Sequence, residues 1–532
     1  MKVSLALLGC LSTAQAHFSG LSLVPPPLPG DDAEGLVSKR DDNVGNFEQP
    51  IDHNAPELGT FPQRYWWNAT YWKGPGSPVI FYTPGEVAGD TYTGYLTERA
   101  ITGVIAKEVG GAVVIVEHRN WGTSLPYAVQ NTTALQQHTM ANAVLDFVNF
   151  AKNVKLPFDT NSSSNAPQAP WVFTGGSYSG NLAAATAKLS PGTFWAYYAS
   201  SAPVQIFDDF PNYYTTIQKA MPKNCSADLA LIINHVDTVL TNGTKDDIYA
   251  LKKQFGMQDV VHDDDFAVGL SVPLGSWQSM QPYTGYSEFS MMCDAIEGAN
   301  GTAAPGPDGV GLPAALNNFA EWWIPNVVTG GCSDKNVSDW KDPSSVGCWD
   351  TYNATSPAYT DWSSTNPFGR TWSWLLCNEP LQGWTTAPKD GPTIVSRFGT
   401  AEYNRRQCGL FFPTEGQNTY GLNSGKTAAD VNSKYDGWLF TNTTRMVWTN
   451  GELDPLLDAT VSSEIRPGGP LQSSAGVQVY LIPGAHHATD LFMKNGDLNA
   501  DIKTAITGVV SNLTTWVNEF YDAKKPAASG QA

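Results

Sequence analysis

Two serines lie one residue apart where a buried strand is expected to end. Ser177 and Ser179 occur in the sequence TGGSYSGN, directly after the apolar run PWVF. A serine flanked by small residues in such a place is typical of a nucleophile elbow, a strained and crowded strand-to-helix turn. The positions two before and two after hold Gly175 and Ser179 around Ser177, but Ser177 and the bulkier Asn181 around Ser179. We therefore predict that Ser177 is the nucleophile and that Ser179 is a small packing residue at the start of the following helix.

An acid and a base that could activate this serine follow it in the chain. Asp454 lies in NGELDP after the apolar run RMVWT, and His486 and His487 lie in PGAHH after VQVYLI. A serine hydroxyl attacks when an imidazole takes its proton, and a carboxylate orients that imidazole. Of the eight histidines only these two follow Asp454, and the order Ser, Asp, His is that of α/β-hydrolases. The residues alone do not separate His486 from His487.

A serine hydrolase also needs donors for the oxyanion that forms during attack. The backbone N–H of Tyr178, directly after the predicted nucleophile, is expected to be one donor. The second is expected from the loop around Gly85 and Glu86, which follows the apolar run PVIFYT.

The elements that must position these residues alternate between strands and helices. Apolar runs predict strands at 78–83, 111–117, 170–174, 195–200, 445–449 and 477–482, and helical patterns predict helices at 135–152, 182–189 and 500–521. Continuously apolar strands that alternate with helices are typical of a parallel sheet covered on both faces. We therefore predict an α/β fold with an α/β-hydrolase core, in which the candidate residues all follow carboxyl ends of strands.

The alternation stops over residues 204–436, which are rich in Trp, Asn, Pro and Gly. We predict one core in two parts, 41–203 and 437–532, interrupted by an insertion domain at 204–436. The insertion contains all the cysteines expected in the mature chain: Cys225, Cys293, Cys332, Cys348, Cys377 and Cys408. An even number of cysteines in a secreted chain predicts three disulfides, for which the sequence leaves 15 pairings open.

The amino-terminal segment is typical of a secreted protein. Lys2 precedes an apolar run that ends before Ala14-Gln15-Ala16, so residues 1–16 are predicted to be a signal peptide. The dibasic pair Lys39-Arg40 predicts that residues 17–40 are a propeptide. Ten N-x-[ST] sequons are candidate glycosylation sites: Asn68, Asn131, Asn161, Asn224, Asn242, Asn300, Asn336, Asn353, Asn442 and Asn512. We predict a secreted, extracellular glycoprotein.

Charge and residue clustering exclude several classes of function. The net charge is −19 and the pI is near 4.7, which argues against nucleic acid and against anionic membrane surfaces as partners. No later run is long and apolar enough for a membrane span. No Cys/His spacing is typical of a zinc site, so neither a metal nor a cofactor is expected.

Four motifs in order resemble the family of lysosomal Pro-Xaa carboxypeptidase, dipeptidyl peptidase II and fungal acid prolyl endopeptidases. The motifs are GGSYSG at 175–180, EHRNWGTS at 117–124, NGELDP at 450–455 and GAHH at 484–487. The resemblance implies an α/β-hydrolase core with a mostly helical insertion, hydrolysis without a cofactor, and peptide or protein substrates with proline on the acyl side of the scissile bond. It also implies that His487 is the base, and it aligns Glu86 with an acidic loop near the oxyanion hole.

One departure from the family pattern concerns proline selection. Leu456 stands where the family usually has a Trp that walls the proline pocket. Tryptophans of the insertion could supply that wall; they include Trp322, Trp323, Trp372 and Trp374. Carboxypeptidase Y-like enzymes have Glu before the nucleophile, whereas this chain has Gly176, which argues against that family.

We therefore expect a serine peptidase that cleaves after proline, with an acidic pH optimum expected from the pI and the resemblance. A carboxylesterase or lipase on the same fold, a broader serine carboxypeptidase and a non-catalytic binding protein remain alternatives. The sequence does not decide between endopeptidase and exopeptidase action.

Overall fold

The computed structural model describes residues 43–298, 305–335, 337–366, 368–381, 384–440 and 443–525. The predicted signal peptide and propeptide and the sequons at Asn300, Asn336 and Asn442 lie outside the described residues. Among the seven other sequons, Asn161, Asn242 and Asn353 are exposed and the rest are partly buried.

The described residues form one eight-stranded sheet with the order β1-β2-β4-β3-β5-β6-β7-β8. Its strands are β1 Val44–Pro50, β2 Thr60–Asn68, β3 Val79–Tyr82, β4 Ala112–Val116, β5 Trp171–Gly176, β6 Ala196–Ser200, β7 Met446–Gly451 and β8 Val477–Ile482. All neighbours from β4 to β8 are parallel, whereas β1 pairs antiparallel with β2, and β2 with β4. The mostly parallel sheet is the predicted one, but β1 and β2 were not predicted.

Helices cover both faces of this sheet because alternate strand residues point to opposite sides. From β3, Phe81 joins an apolar cluster with Phe147 of helix α2 (Met140–Asn153), and Ile80 joins a second cluster with Ile105 of α1 (Ile101–Val109). Helices α3 (Tyr178–Leu189) and α15 (Ala500–Asp522) extend the first and the second cluster respectively. This confirms the predicted α/β-hydrolase core.

The chain between β6 and β7 is mostly helical. The described residues there form α4 Asn212–Ala220, α5 Lys223–Asn242, α6 Lys245–Gln254, α7 Asp263–Gly269, α8 Glu288–Ile296, α9 Leu312–Trp323, α10 Pro357–Thr360, α11 Arg370–Asn378, α12 Ala401–Phe411 and α13 Ala428–Tyr435; α14 Met493–Leu498 follows β8. The side chains of α4 to α13 share one apolar cluster with α2 and α3, whereas Met493 of α14 packs against the other cluster. The domain boundaries at 204 and 436 stay predictions.

All six predicted cysteines are paired, in three disulfides. Cys225–Cys293 joins α5 to α8, Cys377–Cys408 joins α11 to α12, and Cys332–Cys348 closes a loop. The pairing, which the sequence left open, therefore stays local within the helical region. No helix among the described residues is both long and apolar enough to span a membrane.

Candidate active site

Ser177 lies at a strained turn between the end of β5 and the start of α3. Its φ is 57° and its ψ is −128°, a backbone conformation that a residue other than glycine adopts at a cost of about 1–3 kcal/mol. A Cβ added at Gly175 would lie 2.2 Å from the carbonyl oxygen of Ser179, and one at Gly180 would lie 2.9 Å from the Cβ of Ala202. The turn is thus as crowded as the elbow pattern predicts, with the second tight position at Gly180.

Ser179 points back into the turn. Its hydroxyl donates to the carbonyl oxygen of Gly176 at 3.0 Å, and the N–H of Gly176 lies 3.2 Å from the same hydroxyl oxygen. The side chain is fully buried. Ser179 therefore fits as a small residue and also ties the turn together by a hydrogen bond, which the sequence pattern did not indicate.

Asp454 and His487 form a buried hydrogen-bonded pair. Asp454 follows β7 and His487 follows β8, and the Nδ1 of His487 lies 2.8 Å from the Oδ2 of Asp454. The other carboxylate oxygen of Asp454 accepts the N–H of Leu456 at 2.9 Å. Both side chains are at most 1% exposed. Because Nδ1 faces a carboxylate, it carries the proton and Nε2 is left as the acceptor.

Ser177 and Ala488, the residue after His487, are hydrogen-bonded to adjacent residues at and directly after the end of β6. The N–H of Ser177 donates to the carbonyl oxygen of Ser200 at 2.8 Å, and the N–H of Ala488 donates to the hydroxyl of Ser201 at 2.9 Å. Neither Ser177 Oγ nor His487 Nε2 has a hydrogen-bond partner among the described residues, although both are buried. The predicted nucleophile and the candidate base thus have one unused polar atom each, and no direct hydrogen bond joins them.

His486 has different surroundings from His487. Its ring packs edge-on against Trp277 with centroids 4.8 Å apart, and its Nε2 has no partner among the described residues. Burial lowers the pKa of His486 to about 4, although the negative charge of Asp454 acts in the opposite direction. The geometry therefore separates the two histidines: His487 is the one that bonds to Asp454.

The loop that carries His487 is anchored by Asp490. This buried carboxylate accepts from Ser200 Oγ at 2.7 Å, from Thr449 Oγ1 at 2.5 Å and from the hydroxyl of Tyr198. The donors are on β6 and β7. The loop that carries His487 is therefore bound to β6, which contains Ser200, and to β7, which Asp454 follows. The sequence analysis did not identify Asp490. Hydroxyl residues near the ends of two neighbouring strands, Ser200 and Thr449, could have indicated that a buried acceptor lies there.

The predicted oxyanion donors lie together at the amino end of α3. Tyr178 is the first residue of α3, whose amino terminus favours negative charge. Gly85 has a φ of 80°, and a Cβ added there would lie 3.6 Å from the backbone nitrogen of Ser179. Glu86 follows and is buried. The loop after β3 therefore packs on the start of α3.

His118 is hydrogen-bonded to the hydroxyl of Tyr178 and has no hydrogen bond to the Asp454–His487 pair. Its Nδ1 is 2.8 Å from the carbonyl oxygen of Arg119 and therefore carries the proton, so its Nε2 accepts the hydroxyl of Tyr178 at 3.2 Å. Burial lowers the pKa of His118 to about 4. Trp372 packs edge-on against the same tyrosine with centroids 5.2 Å apart.

The other residues predicted near the substrate take different positions. Leu456 is buried and contacts Asp454 through its backbone. Trp323 and Trp374 are fully buried and Trp322 is partly buried in the same large apolar cluster. Across the described ranges, no group of three or more His, Cys, Asp or Glu side chains is arranged to hold a metal ion.

Comparison with known proteins gives one family match and several similar proteins. The profile of the family described as serine carboxypeptidase S28 matches residues 49–305 and 311–505. Serine protease vicPb of Bipolaris victoriae is 41% identical over 502 residues, 94% of this chain and 92% of that protein. The probable extracellular serine carboxypeptidase of Arthroderma benhamiae is 27% identical over 84% of this chain and 62% of that protein.

More distant proteins also match along most of the chain. The lysosomal Pro-X carboxypeptidase of Homo sapiens is 25% identical over 507 residues, 90% of this chain and 88% of that protein. Among solved structures, a proline iminopeptidase from Mycobacterium smegmatis covers 90% of this chain and 100% of its own, with 10% identity and a TM-score of 0.34.

Proposed function

The chain belongs to the serine carboxypeptidase S28 family, and on that premise we propose that it is a secreted peptidase that cleaves on the carboxyl side of proline at acidic pH. Serine peptidase activity on peptide or protein substrates follows from the family. The preference for proline, the acidic optimum, secretion and the residue roles are the proposal.

Ser177 is proposed as the nucleophile, His487 as the base and Asp454 as the acid of a triad. The observation that carries this assignment is the buried 2.8 Å hydrogen bond from His487 Nδ1 to Asp454 Oδ2 beside a serine held at a strained elbow. This bond orients the imidazole so that its unused Nε2 can accept a proton. His487 Nε2 and Ser177 Oγ are not hydrogen-bonded to each other in the structure. We expect this hydrogen bond to form when substrate binds, because catalytic hydrogen bonds are often long without substrate and tighten only in the complex.

The proposed reaction proceeds through an acyl-enzyme. His487 Nε2 takes the proton of Ser177 as Oγ attacks the carbonyl carbon, and Asp454 stabilises the imidazolium while remaining ionised. The oxyanion is stabilised by the N–H of Tyr178 and by an N–H of the loop at Gly85 and Glu86. His487 then protonates the leaving amine, and a water molecule attacks the acyl-enzyme with the same base to release the acid product.

Proline preference is supported by the four motifs and by the similarity to a Pro-X carboxypeptidase. Leu456 supplies a smaller wall than the Trp usual in the family, and of the four insertion tryptophans considered Trp372 is the one that packs on Tyr178, next to the elbow. Secretion is supported by three disulfides, which persist in oxidising compartments, and by a relative described as extracellular.

The test compares the wild-type enzyme with Ser177→Ala, using Ser179→Ala as the matched control two residues away. A fluorophosphonate should label the wild type and Ser179→Ala but not Ser177→Ala, and peptides with Pro before the scissile bond should be cleaved faster than matched peptides with Ala. Labelling of Ser177→Ala would refute the nucleophile assignment. Hydrolysis of p-nitrophenyl esters without cleavage of any peptide would favour the esterase alternative. Mapping the products of a long proline-rich protein by mass spectrometry separates endopeptidase from exopeptidase action.

A further inference from the structure

A short segment of the helical region contacts both loops of the proposed acid and base. The segment is 277–284, between α7 and α8. The indole N–H of Trp277 donates to the carbonyl oxygen of Leu453 at 2.9 Å, directly before Asp454. The side-chain amide of Gln281 donates to the carbonyl oxygen of His487 at 3.0 Å. Both side chains are less than 5% exposed.

Gln281 belongs to a closed network of buried amides. Its Oε1 accepts Asn495 Nδ2 at 2.7 Å, and the same nitrogen donates to the carbonyl oxygen of Thr489 at 2.8 Å. The Oδ1 of Asn495 accepts the N–H of Tyr283 at 3.1 Å. Because these partners fix which end of each amide donates, Gln281 has one orientation, and each amide oxygen and nitrogen of Gln281 and Asn495 has at least one partner, which makes the network rigid.

Trp277 holds the other loop. Besides its hydrogen bond to Leu453, its ring packs on His486, next to the proposed base, and on Phe289 at 4.9 Å. The two loops also meet directly, since the N–H of Leu453 donates to the carbonyl oxygen of Ala485 at 2.9 Å. The 277–284 segment therefore contacts these joined loops at two points, directly before Asp454 and at His487.

We propose that Gln281 and Trp277 are positioning residues, through which the helical region sets the distance and angle between Asp454 and His487. The inference rests on the proposed triad and adds a role for the region between β6 and β7 within it. A catalytic group displaced by about 1 Å costs roughly 10²-fold in rate. Loss of either contact is thus expected to lower kcat much more than it changes KM, because the hydrogen bonds of both side chains go to the loops of Asp454 and His487.

The variant Gln281→Glu tests this inference through pH. A protonated glutamic acid has one O–H donor and one carbonyl acceptor, so it can replace both hydrogen bonds of Gln281. An ionised carboxylate cannot donate to the carbonyl oxygen of His487, and burial raises the pKa of such a carboxyl. The kcat of Gln281→Glu divided by that of the wild type should approach one at pH 4 and fall about tenfold or more as the pH rises to 7.

The controls separate positioning from general damage. Gln472→Glu makes the same chemical change at an exposed site, and its ratio to the wild type should stay near one at every pH. Cycling Gln281→Glu back from pH 7 to pH 4 should restore its kcat, which unfolding damage would not. A Gln281→Glu ratio that is uniformly low at every pH, or one that stays near one at a pH where NMR shows the introduced carboxyl to be ionised, would overturn the inference.

A spectroscopic measurement gives a second test. Trp277→Phe keeps an aromatic ring at this site but removes the indole donor together with the second fused ring, and it should lower kcat about 3–10-fold. It should also shift or broaden the far-downfield proton resonance of the His487–Asp454 hydrogen bond, whereas Trp362→Phe at an exposed site should not. An unchanged resonance and kcat in Trp277→Phe would contradict the inference. If Ser177→Ala kept activity, the proposed function itself would fall; if only the Gln281 and Trp277 variants behaved like wild type, the triad would stand without this role.

Discussion

Replacing His486 should make the protein more resistant to acid. The pKa of His486 is lowered by burial from 6.5 to about 4. Between these two pH values the unfolded chain binds a proton at this residue and the folded chain does not. The free energy of unfolding therefore falls as the pH drops from about 6.5 to about 4 and is unaffected by this group above that window. A shift of this size corresponds to about 3 kcal/mol at most.

Two variants, His486→Gln and His486→Phe, should remove this loss. The first keeps a polar group and the second keeps a ring against Trp277. At pH 7 protonation of His486 no longer contributes, so a difference between the two variants in the free energy of unfolding at that pH reports their difference in packing. In both variants the free energy of unfolding should depend less on pH than in the wild type, by about 1 kcal/mol per pH unit between pH 4 and 6.5.

The assay is guanidinium unfolding of the disulfide-intact protein at pH 7, 5.5 and 4, with tryptophan fluorescence as the signal. Direct titration of the His486 ring by NMR provides an independent value of its pKa. If the wild type and both variants lost stability in parallel as the pH fell, the reasoning from burial would be refuted.

Three further predictions concern other sites. Ser177→Ala should lower kcat about 10⁵–10⁶-fold in a peptide assay. Ser179→Ala should keep most activity but lower the free energy of unfolding by about 1–2 kcal/mol in a thermal denaturation, because the N–H of Gly176 loses its partner. The reverse pattern of activity loss would exchange the two roles. Asp490→Asn leaves three buried hydroxyls with one acceptor oxygen, so it should lower stability by about 1–3 kcal/mol; an unchanged melting temperature would contradict the anchoring role. Burial and the nearby Asp228 raise the pKa of Glu297 to about 7, so between about pH 4.5 and 7 the folded state holds a proton that the unfolded state has released. The free energy of unfolding therefore falls as the pH rises through this range, and Glu297→Gln should reduce that loss by about 1–3 kcal/mol. Equal pH profiles of the wild type and the variant would show that Glu297 is ionised in the folded protein.

Strands that end in chemically active residues could be predicted because both signals are local. The apolar runs before Ser177, Asp454 and His487 each became a parallel strand, β5, β7 and β8. Strands β1 and β2 were missed because their residues alternate between buried and exposed and carry polar groups at the sheet edge. Their pattern therefore lacks the continuous apolar run that marks a strand buried on both faces.

The parts of the site that could not be predicted depend on contacts between distant residues. Gln281 and His487 are 206 positions apart, and Ser200 and Asp490 are 290 apart. No periodicity connects such residues, so their pairing emerges only in the folded chain. The choice between His486 and His487 is of the same kind, because it depends on which ring the turn after β8 directs toward Asp454.

The long excursion between β6 and β7 also determines when the active site can exist. Ser177 is synthesised about 280 residues before Asp454, which at roughly 5–20 residues per second corresponds to an interval of tens of seconds or less. During that time the chain has the strand that leads to the proposed nucleophile but neither the proposed acid nor the proposed base, and Trp277 and Gln281 have no loops to bind. If the proposed triad is correct, the nascent chain is inactive toward itself and its neighbours until β7 and β8 complete the sheet.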